Sequence, residues 1–233
     1  MTWFHGNPSE TPFTMLSYGH LFMIMILVIG IVLLYLTKNQ LKHKNLRKYE
    51  IGLAVTLIVF ELSYHSWLLF TNQWAERHAL PLELCNISLV LIVVVMLSRH
   101  KATHSIVLFI GVAGALQAIL TPVLSYGFPH FRFFHFFYTH LFIIWTAVYF
   151  TVVHDYRPRF MDVIKAMIFL NVLLPGILLV NRLVDGNYWF LSEKPAGGSM
   201  LDYLGPHPWY ILSLEAVAFI LFIVLWIIFR KRK

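Results

Sequence analysis

Long apolar runs alternate with short polar connections along the 233-residue chain, at positions 17–37, 50–70, 83–97, 104–124, 136–154, 160–181 and 209–229. A bilayer-crossing helix needs about 20 predominantly apolar residues. In lipid every backbone polar group must find a partner within its own segment, so the pattern predicts helices. The third run is the shortest; its core, 87–97, is uninterrupted and rich in Val, Ile and Leu. The β-branched stretch Val93, Val94 and Val95 would favour a strand in water, a preference the bilayer overrides. The expected fold is all-α: one polytopic transmembrane domain, a seven-helix bundle, with an extracytoplasmic loop over 182–208 carrying the turn signals Asp185-Gly186, Gly197-Gly198 and Gly205-Pro206.

Composition strengthens this reading. The chain is 59% hydrophobic and 12% charged, against about 25% charged in soluble domains, which leaves too little polar surface to coat a globule. The net charge of +7 does not point to nucleic acid, because the basic residues sit in short connections between apolar runs. Lys38, Lys42, Lys44, Arg47 and Lys48 follow the first run. Arg99 and Lys101 follow the third, Arg157, Arg159 and Lys165 surround the fifth connection, and Arg230, Lys231, Arg232 and Lys233 end the chain. Of the 18 Lys and Arg, the opposite side holds Arg77, Arg132, Arg182 and Lys194. The positive-inside bias then places the N-terminus outside and the C-terminus in the cytoplasm of a multi-pass cell-membrane protein. The segment before the first run lacks a basic n-region and contains Pro8, Glu10 and Pro12, so the first run reads as a retained anchor. Trp3, Trp67, Trp74, Trp189 and Trp209 fall near the outer boundary as an aromatic belt. There is one cysteine and hence no intrachain disulfide framework, and no repeat or low-complexity segment is evident.

Polar residues inside apolar runs are costly and mark candidate sites. With the orientation above, Glu61, Tyr64 and His65, Glu83, Cys85 and Asn86, Gln117 and Thr121, and His135 and His140 all fall in the outer half, along with His20. The inner halves read as almost purely aliphatic and aromatic. A polar cavity opening outward is the expected consequence. Each residue also has a plain structural role. A lone Cys in an apolar helix commonly acts as a small hydrophobe. Glu61 and His65, four apart on one face, make either an acid–base pair or a simple intramembrane hydrogen bond. Gln117 and Asn171 read as interhelical hydrogen bonds, Gly111, Gly114 and Ala118 as close-packing positions, and Pro122 and Pro175 as helix ends or kinks. The spacing of His130, His135 and His140 does not put ligands on one face, so neither a metal nor another cofactor is expected.

Cys85 gains weight from its company. It lies near the start of a run that begins outside, as does His140, so the two side chains are expected at similar depth. An imidazole beside the thiol would hold it as the nucleophilic thiolate, and a helix N-terminus favours a negative sulfur. Glu61 or Glu83 would orient the histidine as the third member of a triad. Whether those helices are neighbours is not encoded in the run pattern.

Three segments carry a family resemblance: 80–88, with Leu80-Pro81 preceding Cys85; 128–140, which ends on His140; and 187–210, with Asn187-Tyr188-x-Phe190-Leu191, Lys194-Pro195 and Gly205-Pro206-x-Pro208-Trp209-Tyr210. They resemble the signature blocks of the YwaF-like bacterial integral membrane proteins across nearly the whole chain. That family is similar to a eukaryotic multipass family of cysteine-dependent acyltransferases that remodel ether phospholipids with a Cys and a His. The resemblance implies that Cys85 and His140 are that pair. A looser likeness links the chain to multipass lipid-ester hydrolases that use Thr and His, with Thr139 beside His140. The expected function is therefore a membrane lipid transacylase or thioesterase working through an acyl-cysteine. Asn86 or Gln117 would donate to the oxyanion, and Arg132, Arg182 and Lys194 would meet the lipid phosphate or make ordinary headgroup contacts. Membrane phospholipids are the expected partners. The alternative is a non-enzyme with a polar outer pocket, either a small-molecule receptor or transporter or a partner-binding subunit. The absence of an internal repeat and of paired broken helices weighs against a transporter.

Overall fold

The computed structural model describes residues 3–195 and 200–231; the expected Gly197-Gly198 turn, Arg232 and Lys233 lie outside the described residues. Helices run over Tyr18–Lys42 (α1), Arg47–Phe70 (α2), Glu76–Ala79 (α3), Leu84–Ser98 (α4), Lys101–Leu120 (α5), Phe131–Val152 (α6), Phe160–Val184 (α7) and Trp209–Phe229 (α8). Among the described residues there is no strand, and Pro12 and Tyr126 form an isolated bridge. Six helices are long and apolar enough to cross a membrane. The seventh apolar helix, α4, has 15 residues, about 22 Å of rise against the ~30 Å hydrocarbon core.

Local chemistry sets several ends. Pro122 bars its predecessor from the α region, and α5 stops at Leu120 with Thr121 as its cap. By contrast α7 continues through Pro175, which lies on its exposed face. Arg99 and Asp185 close α4 and α7 in left-handed conformations. Two ends depart from the sequence pattern by five residues, the end of α1 and the start of α6. For α6 the apolar run suggests 136, yet the helix begins at Phe131, because the His130 side chain accepts from Arg132 N at 3.1 Å and caps it. Phe131 N, a free first-turn donor, bonds to Trp3 O at 2.9 Å.

The packing order explains the uneven polarity of the helices. Helix α6 packs against α1, α2, α4 and α5, and α5 against α4, α6, α7 and α8. Of its most apolar stretch α6 buries 72% inside the bundle, against 11% for α1, 17% for α7 and 6% for α8. A helix facing lipid must be apolar all round, whereas one enclosed by protein can carry polar groups that find partners. Accordingly His130, His135, Thr139, His140, Thr146 and Thr151 cluster on or beside α6. Close approach has a visible cause at Gly30: a Cβ there would fall 2.3 Å from the Trp145 indole, whose Nε1 donates to Leu27 O at 3.1 Å. Gly111 plays the same part for Ile143 on α6.

Ahead of α1, residues 3–16 form a strap over the C-terminal end of α2 and the N-terminal end of α6. Trp67 Nε1 donates to Phe4 O at 3.0 Å, His130 Nε2 to His5 O at 3.0 Å, and Tyr126 OH to Gly6 O at 2.9 Å. Phe13 N donates to Ser125 O and Gly127 N to Thr11 O. A Cβ on Gly127 would meet Pro12 O at 2.7 Å, so this crossing depends on glycine.

Candidate functional site

Glu61, on α2, gathers three helices. Its carboxylate accepts from Asn86 Nδ2 of α4 at 2.7 Å and from His135 Nε2 of α6 at 3.2 Å, and lies 3.5 Å from His65 Nε2 one turn further along α2. Arg132 Nη1 donates to His135 Nδ1 at 2.9 Å. A guanidinium has no acceptor, so His135 Nδ1 must supply a lone pair and its proton must sit on Nε2, directed at Glu61. A neutral imidazole therefore separates the guanidinium from the carboxylate. Tyr64 stacks on His135 with ring centroids 4.5 Å apart, and Arg132 lies over the Tyr64 ring at 4.3 Å.

The bonds to Glu61 also fix levels within the bundle. Asn86 and His135 meet one carboxylate, so the first turn of α4 stands level with the second turn of α6. His140 follows His135 by about 7 Å along the axis. This differs from the expectation that Cys85 and His140 start their helices together, because α6 begins earlier than its apolar run. The imidazole narrows the gap: His140 Nδ1 donates to Phe136 O at 2.6 Å and its ring lies 4.2 Å from the Phe136 ring, a full turn outward. A carbonyl can only accept, so the proton is on Nδ1 and Nε2 carries the lone pair. Thr139 Oγ1 donates back to His135 O and Phe136 O at 3.0 Å, so its hydroxyl is occupied with its own helix.

Cys85 falls on the helical face of α4 that also carries Ser88, Leu89, Ile92 and Met96, all buried, yet the thiol residue itself is half-buried. Among the described residues neither the thiol nor His140 Nε2 has a hydrogen-bond partner.

The other expected residues fall into three groups. Neither carboxylate orients His140: Glu61 holds His135, and Glu83 accepts from Trp189 N at 3.2 Å. Gln117 donates to Thr121 Oγ1 and Asn171 to Met167 O, each one turn away on its own helix. Both were expected between helices, but a neighbour within the same helix is always in reach and takes precedence. Arg182 is exposed on the last turn of α7, and Lys194 lies over the Tyr210 ring at 5.5 Å. Among the described residues no group of His, Cys, Asp and Glu has the geometry of a metal site.

The loop after α7 reaches the N-terminal end of α4. Asn181 of α7 clamps both backbone groups of Tyr188, accepting from its N at 2.8 Å and donating to its O at 2.9 Å. Tyr188 OH accepts from Leu80 N at 2.9 Å, Trp189 Nε1 donates to Leu82 O at 2.7 Å, and Tyr210 OH donates to Phe190 O. Trp189 and Phe190 hold left-handed φ values of 61° and 53°, a strained pair sustained by these bonds. The segment 187–191 is thereby fixed against residues 80–83, immediately ahead of Cys85.

A second polar centre was not legible in the apolar runs. Glu50, buried at the N-terminal end of α2, accepts from Tyr149 OH at 2.8 Å, His154 Nε2 at 2.9 Å, Arg99 Nη2 at 2.8 Å and Arg47 Nη1 at 3.4 Å. Arg47 also donates to the last carbonyls of α4 at Met96 and Leu97. Nearby, buried His104 donates from Nε2 to Ala147 O at 3.0 Å. The half expected on the cytoplasmic side is thus not purely apolar. Only the position of Arg47 three residues before Glu50 hinted at it.

No curated protein and no solved structure matches the chain. A family model does, over residues 15–226, from just ahead of α1 into the last turn of α8. Together with the bundle of apolar helices, that match establishes the chain as a multipass membrane protein that belongs to the TMEM164 family.

Proposed function

We propose that the chain is a membrane lipid acyltransferase in which Cys85 is the nucleophile and His140 the general base. One observation carries the reading: on the neighbouring helices α4 and α6, the half-buried residue Cys85, on a face whose other residues are buried, accompanies a histidine whose Nε2 lone pair is left free by the Nδ1 bond to Phe136 O. The resemblance of segments 80–88, 128–140 and 187–210 to the YwaF-like proteins, and through them to cysteine-dependent phospholipid acyltransferases, supports the same pair. In this mechanism His140 Nε2 takes the thiol proton and the sulfur attacks the carbonyl carbon of an acyl ester. The ester C–O bond breaks, and the proton on Nε2 passes to the leaving alkoxide. A thioester on Cys85 remains, which a lysolipid hydroxyl or water then cleaves by the reverse proton path. Asn86 spends one amide N–H on Glu61 and keeps the other for the oxyanion.

The topology belongs to the same proposal. Six helices cross the bilayer, the 15-residue α4 is a short seventh span, and the basic connections face the cytoplasm. The site then opens to the outer leaflet of the cell membrane, where phospholipid tails enter laterally. The decisive experiment is the intact mass of purified protein after incubation with a synthetic phospholipid. Wild type should gain a hydroxylamine-sensitive acyl adduct that Cys85→Ser lacks and His140→Ala forms at least 100-fold more slowly, the usual scale of general-base catalysis. An unmodified wild type with no lysolipid released across several head groups would overturn the acyl-transfer reading and leave ligand binding in the outer pocket.

A further inference from the structure

Three outer cations were candidates for the phosphate of a lipid, and the structure separates them. Arg182 is exposed and Lys194 rests on Tyr210, a ring anchored to the loop at Phe190. Arg132 alone of the three is built into the cluster around Glu61. His135 Nδ1 takes one of the Arg132 N–H groups, and the Tyr64 and Phe136 rings lie 4.3 and 5.7 Å from the guanidinium carbon.

That setting leaves the guanidinium held but not neutralised. Arg47, Arg99 and Arg157 each touch a carboxylate directly. Arg132 makes no such ion pair among the described residues, because the nearest carboxylate, Glu61, is reached through the neutral His135 ring. One of its five N–H donors is spent on that ring and the other four have no protein acceptor among the described residues. A planar, preorganised fork with unspent donors suits a tetrahedral oxyanion presenting two oxygens. Phe136 neighbours both groups: its ring centre lies 5.7 Å from the guanidinium carbon and 4.2 Å from the His140 ring. In a glycerophospholipid the glycerol backbone separates the phosphate from the acyl ester by a comparable reach.

We propose that Arg132 is the phosphate subsite for a glycerophospholipid, with His135 and Glu61 as the positioning residues that hold it. This rests on the lipid-acyltransferase reading for the identity of the lipid, but not on turnover. With phosphate held at Arg132, the Phe136 ring that neighbours both groups brings the ester of the same molecule within reach of His140. The chemistry selected is a phosphodiester or phosphomonoester anion in lipid; uncharged diacylglycerol lacks it.

The test measures lipid retention by native mass spectrometry on full-length Cys85→Ser protein, in which acyl transfer is blocked whether or not it occurs in wild type. Phosphatidylglycerol and diacylglycerol of the same acyl composition are the probes, and Arg77→Gln, an exposed outer cation, is the charge control. Phosphatidylglycerol should be retained over diacylglycerol, and Arg132→Gln should weaken it by about tenfold, the scale of one lost charge-assisted bidentate contact. Arg77→Gln should not. Arg132→Lys, which keeps the charge and a donor for His135, should fall between, and it serves as the probe if Arg132→Gln fails to fold. Equal retention by the parent and the Arg132 variants would overturn the subsite. Displacement of the lipid by inorganic phosphate would assign the site to free phosphate and overturn the lipid source. An acyl adduct missing from wild type, with Arg132-dependent retention intact, would refute acyl transfer and leave the subsite standing.

Discussion

Side-chain protonation in this bundle follows from which atoms can donate. Arg132 forces the His135 proton onto Nε2, and Phe136 O forces the His140 proton onto Nδ1. Two histidines five residues apart on α6 thus hold opposite tautomers, one closed into a structural network and one with a free lone pair. The same bookkeeping applies to Glu50, where four donors from α2, α6 and the connections after α4 and α6 converge on one carboxylate. Removing a single partner from such a group strands the rest. Glu50→Ala should cost about 3 kcal/mol and lower the apparent Tm in detergent, and a Tm equal to wild type would show that the cluster contributes nothing net. Glu50→Gln should lie between, since it retains one acceptor for Tyr149 and His154.

At the scale of elements, the strap over 3–16 and the start of α6 depend on each other. His130 accepts from Arg132 N through Nδ1 and donates to His5 O through Nε2, so both nitrogens are committed in the neutral ring. Burial holds its pKa below the ordinary histidine value, with His5 and Arg132 acting in the same direction against the bond to His5 O. The groups facing it are His5 from the strap, itself 3.9 Å from Glu10, Tyr126 from the preceding connection and Arg132 from α6. A histidine depressed in the folded state contributes stability that is complete above its unfolded pKa, about 6.5. That contribution is lost as pH falls from there toward the folded value, because the unfolded form binds the proton first. Protonation at Nδ1 also removes the cap on Arg132 N. Amide protection factors in 3–13, taken against the intrinsic exchange rate at each pH, should therefore be high at pH 7.5 and fall at pH 5, with those in α5 unchanged. Equal protection of 3–13 at both values would contradict the account.

At the scale of the whole molecule, helix polarity and helix position trade against each other. Helices α1, α7 and α8 bury little of their apolar stretches and flank α5 and α6, whereas α6, with the most buried side chains among the described helices, carries most of the buried histidines and threonines. Charge on the outer ring should accordingly block insertion. Val172 is 71% exposed on α7, and Val172→Arg should cost about 3 kcal/mol of insertion free energy, read as a loss of membrane-inserted protein. The orientation has its own check. In a Cys85→Ser background, Thr14→Cys should react with a membrane-impermeant maleimide in intact cells and Lys44→Cys only after permeabilisation; the reverse pattern would invert the topology.

The sequence by itself determined the membrane character and the approximate helix positions. Both are local properties, because a bilayer acts on every segment separately. It also picked out Glu61, His135, Asn86 and Arg132, which the structure brings into one network. What only the tertiary structure decided is which neighbour each polar group meets. Glu61 turns to His135 and not to His140, Glu83 serves the loop after α7 through Trp189, and Glu50 joins residues from 47 to 154. Partner choice depends on the rotation and adjacency of helices, which are set by contacts such as Gly30 on Trp145 and Gly111 on Ile143. A uniformly apolar stripe leaves those angles unspecified, so only side-chain packing between distant segments could fix them.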